Sequence, residues 1–395
     1  MRNKYIKYVV LLVVIMCSSN ILALENTTGE RSSLAPTARS YILMEESSGK
    51  VLLEYNADEP LPPASITKVM TLLLINEAVA NGKINWDDKV TISEHAAHMG
   101  GSQVFMEPGE EQTVRDLVKC ICIASANDAA VAMSEYIAGS EDSFVELMNK
   151  RAKQLGMENT IFKNACGLHI DGHVSTARDI AIMSRELVKD HPEITKTLTT
   201  WMDTITHKTR RGESVFGLSN TNKMLKWYNG ITGLKTGYTP QARHCVSATA
   251  KRDDMGLIAV IMGAENGKIR FKEAASLLDY GFCNYKVKVG PIIGTVVGEA
   301  PVKKGDIDMI KVATKETKSF IVPKEDTTSE LSYDIKYTDK LSAPIKEGDV
   351  VGEIVYTMNG KEIGKGDIVS TMDVNKATLK QMIPHTIKRF FKVSK

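Results

Sequence analysis

The chain is organised around the stretch Pro63-Ala64-Ser65-Ile66-Thr67-Lys68. The run that follows, 69–80, is too densely apolar for a surface helix, so it predicts a buried one. Ser65 and Lys68 are one helical turn apart, which places the ammonium within reach of the hydroxyl. A serine hydroxyl becomes a nucleophile when a neighbour takes its proton, and a desolvated lysine can do this. The stretch therefore predicts a nucleophile and its base at the start of a core helix.

The spacing Ser-x-x-Lys is weak evidence by itself because it fixes only two positions. A second copy, Ser47-Ser48-Gly49-Lys50, lies between two strand-like runs, 39–44 and 51–55. That context predicts a hairpin turn in which Gly49 supplies the bend. The rest of the chain must therefore distinguish the two copies.

Length and charge limit the class of protein. At 395 residues the chain is long for one hydrophobic core and predicts two domains. Lys and Arg number 50 against 48 Asp and Glu, which gives no reason to expect a nucleic-acid partner. The six cysteines include no C-x-x-C, so neither a metal site nor a cofactor is predicted.

The N-terminus has the pattern of an export signal. A basic start, residues 1–7, precedes an apolar stretch, 8–17, and a small residue at Ala23, so we expect residues 1–23 to be a signal peptide. A lipoprotein that uses Cys17 and an uncleaved anchor are the alternatives. Without Cys17, five cysteines remain, an odd number that excludes complete pairing.

Two further short motifs follow in the chain. Ser125 and Asn127 fall between two helical patterns, where they serve a cleft or cap the second helix. Lys235-Thr236-Gly237 falls on a predicted strand and offers a cation, a hydroxyl and a residue small enough for a substrate backbone to approach. These groups suit a terminal carboxylate, although an exposed lysine at a strand end is the simpler interpretation of the tripeptide alone.

Taken together and in this order, the three motifs resemble the Ser-x-x-Lys, Ser-x-Asn and Lys-Thr-Gly set of penicillin-recognising serine enzymes. The surrounding sequence resembles that of the low-molecular-weight penicillin-binding proteins that are D-alanyl-D-alanine carboxypeptidases. The stretches that carry the resemblance include PPASITKVMT, CIASANDAAVAM and GLKTGYTPQARHCVSATA. The resemblance covers roughly residues 36 to 380. It implies hydrolysis of the terminal D-alanine of peptidoglycan stem peptides through an acyl-serine, and covalent inhibition by β-lactams.

The resemblance also implies roles for individual residues. Ser65 is the expected nucleophile and Lys68 its general base, while Ser125 and Asn127 relay protons and contact the substrate amide. The substrate-binding set that it implies is Lys235, Thr236, Gly237, Tyr238 and Arg270. Lys235 and Thr236 are expected to hold the terminal carboxylate, with Arg270 as an additional partner. The backbone N–H groups of Ser65 and Tyr238 are expected to form the oxyanion hole.

The chain departs from the family pattern at two positions. Tyr238 and Cys166 stand where some relatives have histidine, which puts substrate preference in doubt and leaves the chemistry intact. The Glu-x-x-Leu-Asn context that positions a deacylating water in class A β-lactamases is absent from the sequence. The acyl-enzyme formed with penicillin is therefore expected to be long-lived.

The predicted fold class is α+β. A β-lactamase/transpeptidase-like domain, an antiparallel sheet with a helical subdomain, is expected over 36–283. Short Val/Ile runs and turns over 284–375 predict a small β-sandwich domain. Apolar and basic residues of 377–395 alternate as in an amphipathic helix that lies on a membrane surface, with docking on its own β-domain as the alternative.

Two functional hypotheses result. The first is an exported serine D-Ala-D-Ala carboxypeptidase on the outer face of the bacterial cytoplasmic membrane, or a secreted one if the tail does not anchor. The partition between hydrolysis and transpeptidation is left open. The second is a non-catalytic module that binds the wall or senses β-lactams, against which intact Lys68, Asn127 and Lys235 argue.

Overall fold

The computed structural model describes residues 32–210, 212–326 and 330–378. The predicted signal segment 1–23, and all of the predicted tail 377–395 except its first two residues, lie outside the described residues. The chain divides into two compact units, a larger one up to Asp279 that omits 253–255 and a smaller one that joins 253–255 to the residues from Tyr280 onward. Among the described residues, no helix combines the length and apolarity needed to cross a bilayer.

The larger unit is built on a five-stranded antiparallel sheet. The strands of this unit are β1 (Ser40–Glu45), β2 (Val51–Tyr55), β3 (Lys89–Thr91), β4 (Glu111–Thr113), β5 (Met202–Thr209), β6 (Gly212–Ser219), β7 (Ile231–Thr239), β8 (Arg243–Arg252) and β9 (Met255–Ala264). The sheet has the order β2-β1-β9-β8-β7, and the pairs β3–β4 and β5–β6 form two smaller sheets. All ten residues of β9 are buried, which fits a central strand covered on both faces.

Helices pack against this sheet and form the helical part of the unit. They are α1 (Lys68–Ala80), α2 (Glu94–Ala97), α3 (Val114–Ile123), α4 (Asn127–Ala138), α5 (Glu141–Gln154), α6 (Ala177–Asp190), α7 (Thr195–Leu198) and α8 (Ile269–Asn284), the last of which continues past the unit boundary. The apolar side chains of α1 are almost all buried, as the density of its pattern predicted. Side-chain caps at Thr113 and Thr176 begin α3 and α6.

The segment that carries Ser65 differs in detail from the prediction. Ser65 lies in a 3₁₀ turn, Ala64–Thr67, and the α-helix begins only at Lys68. Ala64 has a φ of +49°, a left-handed conformation that is strained for a residue with a Cβ. A Cβ on Gly167 would overlap the carbonyl oxygen of Ala64, and one on Gly237 would lie 3.0 Å from the Ala64 Cβ. Two distant backbone segments therefore enclose the turn.

The smaller unit consists mostly of strands. They are β10 (Tyr285–Val289), β11 (Val296–Pro301), β12 (Met309–Thr314), β13 (Ser319–Pro323), β14 (Leu331–Tyr337), β15 (Val350–Met358) and β16 (Lys361–Ser370). Five of them form a sheet in the order β11-β12-β16-β15-β14, and β10 pairs with β13. The predicted α+β fold, with a helical subdomain on an antiparallel sheet and a β-rich second domain, is confirmed.

Candidate active site

Lys68 is the centre of a buried hydrogen-bonded cluster. Its Nζ lies 3.2 Å from Ser65 Oγ, 2.6 Å from Asn127 Oδ1 and 2.7 Å from the carbonyl oxygen of Cys166. The amide and carbonyl oxygens only accept hydrogen bonds, so they take two N–H groups of a neutral amine. The lone pair of that amine is then left for the Ser65 hydroxyl. The cluster thus fits a lysine that accepts the serine proton.

Burial makes Lys68 a better proton acceptor near neutral pH. Its side chain is fully buried, and this desolvation lowers the pKa of Lys68 to about 8. About one amine in ten is therefore neutral at pH 7, far more than for an ordinary lysine, and the neutral form is the one that a general base requires. The other Ser-x-x-Lys copy offers no such environment, because Ser47 bonds to Glu45 in an exposed turn between β1 and β2.

Ser125 and Asn127 lie at the elbow between α3 and α4. Ser125 has a φ of +62°, which breaks the helix and directs the chain into α4. The Asn127 amide donates to the carbonyl of Gly100 at 2.6 Å and accepts from Lys68, so both ends of its side chain are fixed. The elbow therefore serves as part of the buried cluster, and the alternative of a simple side-chain cap does not apply, since Ala126 is the N-cap residue of α4.

Lys235 begins a second cluster on β7. Its Nζ donates to Ser125 Oγ at 2.7 Å and to the carbonyl of Thr236 at 3.1 Å. Burial and then the charge of Lys68 hold the pKa of Lys235 well below its usual range. Within the described residues, neither lysine forms an ion pair, so a bound anion beside Lys235 would favour the charged form of that lysine.

Gly237 has a reason to be small besides the predicted approach of a substrate backbone, which stays a prediction. A Cβ there would lie 3.0 Å from the carbonyl oxygen of Pro63 and 3.1 Å from the Ser65 nitrogen. The missing side chain lets β7 pass directly beside the turn that carries the nucleophile. This contact brings the backbone of Tyr238 into the neighbourhood of Ser65.

Arg270, on α8, contacts strand backbone. Its Nη1 donates to the carbonyl oxygens of Gly237 at 2.9 Å and Cys245 at 3.2 Å, and burial lowers the pKa of Arg270 to about 10. Its Nε is buried and has no hydrogen-bond partner in the described part of the chain. Arg270 therefore braces β7 beside the site, and its role toward a substrate carboxylate stays a prediction.

The two departures from the family pattern differ in exposure. Tyr238 is 56% exposed and stacks on His244 with ring centroids 4.4 Å apart, so it borders the site. The Cys166 side chain is fully buried, and its Sγ faces Asn164 at 3.6 Å. The backbone carbonyl of Cys166 accepts from Lys68, and the thiol is close enough to interact electrostatically with that amine, so the expectation of altered substrate preference stays a prediction for both positions.

Histidine is the usual general base beside a catalytic serine, so the positions of the histidines bear on the site. His207 lies on β5 and His244 on β8. Within the described residues, no histidine is hydrogen-bonded to Ser65. His173 comes near the turn, with Nε2 2.9 Å from Thr67 Oγ1, and burial lowers its pKa to about 4. A serine–histidine pair is therefore not formed there, and the described residues contain no cluster arranged to hold a metal ion.

Sequence reasoning missed two contributors. The carbonyl oxygen of Cys166 is a backbone atom, so no residue type reveals it. Thr221 Oγ1 accepts a hydrogen bond from Thr236 Oγ1 at 2.8 Å, although nothing in the spacing of the three motifs includes position 221. The pair Asn220 and Asn222 on either side of Thr221 was the available signal, since buried asparagines at such a spacing fix a loop.

The fold and this arrangement define the class of penicillin-recognising serine enzymes. The pattern of the family described as D-alanyl-D-alanine carboxypeptidase matches residues 26–266, and that of the C-terminal domain of penicillin-binding protein 5 matches residues 293–376. The chain therefore belongs to the D-alanyl-D-alanine carboxypeptidase family, a family of serine peptidases, which confirms the resemblance.

Individual relatives are similar over most of their length. D-alanyl-D-alanine carboxypeptidase DacF of Bacillus subtilis (strain 168) is 45% identical over 350 residues, which cover 88% of this chain and 89% of the relative. DacC of Escherichia coli (strain K12) is 38% identical over 362 residues, 88% of this chain and 87% of the relative. The crystal structure of penicillin binding protein 5 from Haemophilus influenzae superposes with a TM-score of 0.72 at 33% identity, covering 86% of this chain and 98% of that one.

Proposed function

We propose that this protein removes the terminal D-alanine from peptidoglycan stem peptides through an acyl intermediate on Ser65. The observation that carries the proposal is the Lys68 amine, which has Ser65 Oγ at 3.2 Å and two acceptors on its other sides. That arrangement has no need of a histidine and suits transfer of the hydroxyl proton to a lysine. Membership of the carboxypeptidase family supports the substrate class.

Acylation begins with the proton of Ser65. Lys68 accepts this proton while Ser65 Oγ attacks the carbonyl carbon of the penultimate D-alanine. The backbone N–H groups of Ser65 and Tyr238 stabilise the resulting oxyanion, an interaction worth about 3 to 4 kcal/mol for one donor in other enzymes. The close approach of Gly237 to the Ser65 nitrogen supports this pairing of donors.

Breakdown of the tetrahedral intermediate needs a proton on the leaving nitrogen. Ser125 Oγ accepts from Lys235, so its own O–H remains available to donate to that nitrogen. The proton that Lys68 accepted from Ser65 then passes to Ser125 and replaces the proton that Ser125 donated to the leaving nitrogen. Asn127 holds Lys68 throughout and presents its amide beside the substrate. Attack by water on the acyl-Ser65 ester, with Lys68 again as base, releases the shortened peptide.

The substrate carboxylate is held at the Lys235 end of the site. Lys235 is buried without an ionic partner among the described residues, and an arriving carboxylate favours its charged form. Thr236 lies beside Lys235 with its hydroxyl bonded to Thr221, and Arg270 braces the strand that presents both. Because a free carboxylate is required, the enzyme acts on chain ends.

The proposed activity is tested by D-alanine release. The full signal-cleaved protein is expected to release one D-alanine from a pentapeptide that ends in D-Ala-D-Ala, because the acyl-enzyme is open to water. An assay of free D-alanine with an added amine acceptor also measures the share of transpeptidation. A protein that is acylated by penicillin but releases no D-alanine would instead support a β-lactam sensor.

The proposed organisation has four parts: a signal peptide over 1–23, a peptidase domain over 36–283, a β-rich domain over 284–375 and an amphipathic tail over 377–395. The unit boundary between Asp279 and Tyr280 and the two matched family ranges support the two folded parts. The basic and apolar start of the chain supports export. We place the mature protein on the outer face of the cytoplasmic membrane.

Removal of residues 379–395 is expected to release the signal-cleaved protein from anionic vesicles. Apolar residues of this segment recur at helical spacing with Lys380, Lys388 and Arg389 around them, a pattern of interfacial helices. The cut retains Ala377, whose N–H donates to the carbonyl of Lys304. Co-sedimentation with vesicles measures the effect, and penicillin labelling should be unchanged. A truncated protein that still sediments would place the anchor elsewhere.

A further inference from the structure

A pair of threonine hydroxyls lies at the carboxylate end of the proposed site. Thr236 Oγ1 donates to Thr221 Oγ1 at 2.8 Å. Thr236 is 5% exposed, whereas Thr221 is half-buried. Thr221 is therefore the more exposed member of the pair.

Thr221 is held by a rigid support. Asn220, before it, donates its side-chain amide to the carbonyl oxygens of Leu198 at 3.0 Å and Thr200 at 2.9 Å. Both atoms of the Asn220 side-chain amide are used, because its oxygen accepts from the backbone N–H of Asn222. Such fully satisfied buried amides fix a short segment in one conformation.

The residue after Thr221 ties the segment to the strand that carries Lys235. Asn222 is 1% exposed, and its amide donates to the carbonyl of Gly233 on β7 at 3.0 Å. The backbone N–H of Thr221 itself donates to the carbonyl of Ile123 at the end of α3. Thr221 is thus positioned from two sides, and its hydroxyl is placed as accurately as those of the motif residues.

Each hydroxyl has one proton to donate. The Thr236 proton is directed to Thr221, so the proton of Thr221 is the one available to a further acceptor. Lys235 lies next to Thr236 and lacks an ionic partner among the described residues, so the expected acceptor is an anion. We propose that Thr221 donates its hydroxyl proton to the C-terminal carboxylate of the substrate and helps to select substrates that carry this charge. This inference rests on the proposed carboxypeptidase function.

Thr221→Val tests the assignment, because valine keeps the shape and removes the hydroxyl. The readout is the ratio of kcat/KM for a peptide ending in D-Ala-D-Ala to that for the same peptide with a C-terminal carboxamide. Hydrogen bonds to charged groups are stronger than those to neutral ones, so the ratio is expected to fall about tenfold or more, mainly through KM. Thr221→Ser should restore most of the ratio.

A second hydroxyl pair, whose donor lies on β7 as Thr236 does, provides the matched control. Thr232 Oγ1 donates to Thr249 Oγ1 at 2.9 Å, and Thr232→Val removes that bond without touching the site. The ratio should be unchanged in this variant. Thermal unfolding of each variant identifies a folding defect, and Thr221→Ala serves as a second hydroxyl-free variant if valine does not fold.

An acid-to-amide ratio that stays within about twofold of wild type in both folded Thr221 variants would overturn the inference, since a lost donor to a charged group costs more than that. Failure of the proposed function is a separate result, in which the unmodified protein releases no D-alanine from either peptide. A fall in kcat for both peptides with an unchanged ratio would show a merely structural role and also overturn the assignment.

Discussion

Replacement of Ser65 by alanine is expected to abolish covalent labelling by fluorescent penicillin and all release of D-alanine. The reason is chemical, because the acyl-enzyme needs the Ser65 oxygen and no other hydroxyl is bonded to Lys68 among the described residues. Fold loss is not expected, since Lys68 keeps its bonds to Asn127 and Cys166. Gel fluorescence after denaturation measures the covalent adduct directly.

The chain offers its own control for this experiment. Ser47 precedes Lys50 with the same spacing as the Ser65 motif, but it lies in a turn and bonds to Glu45. Ser47→Ala should therefore be labelled as fast as the unmodified protein. Persistent labelling of Ser65→Ala would mean that another residue is the nucleophile, and the mechanism proposed above would have to be abandoned.

Replacement of Lys68 by methionine is expected to slow acylation by about 10²- to 10⁴-fold, the range typical of a lost general base. Methionine retains the apolar stem and removes the amine, so Ser65 keeps its position without a proton acceptor. Stopped-flow or quenched labelling with penicillin gives the acylation rate. The matched control is Lys50→Met, which should leave that rate unchanged, because Lys50 is exposed.

The pH dependence provides an independent check on Lys68. Its pKa is lowered by burial to about 8, and only the neutral amine accepts a proton. The acylation rate of the unmodified enzyme should therefore rise about tenfold per pH unit below that value and level off above it. A rate that is independent of pH between 6 and 8 would exclude a lysine with this pKa as the base, and Lys68→Met should remove the dependence.

Much of the site could be predicted because its side chains form three short motifs. Ser65 and Lys68 are local neighbours on one turn, so their contact is dictated by helical geometry. Their meeting with Asn127 and Lys235 is a long-range property, and only the family resemblance made it predictable. The hairpin of β1 and β2 and the buried α1 were predictable from periodicity and from Gly49.

The remaining features have no local signature. The Cys166 carbonyl acts through the backbone, which every residue shares. The residues of the three motifs give no indication that Thr221 contacts Thr236, because only the fold brings the two side chains together. The contact of Gly237 with the nucleophile turn was not predicted, because the sequence does not show that β7 passes beside that turn. Arg270 was expected to contact the substrate carboxylate, whereas the partners seen in the structure are the carbonyl oxygens of Gly237 and Cys245.

The enclosure of the 64–67 turn between Gly167 and Gly237 bears on the evolution of antibiotic resistance. A side chain at Gly167 would overlap the Ala64 carbonyl, and one at Gly237 would force a neighbour of the nucleophile to shift, so we expect a change at either position to affect the natural peptide as well as the drug. Substitutions that separate the two are expected at the rim, where an exposed residue such as Tyr238 can change without moving the turn.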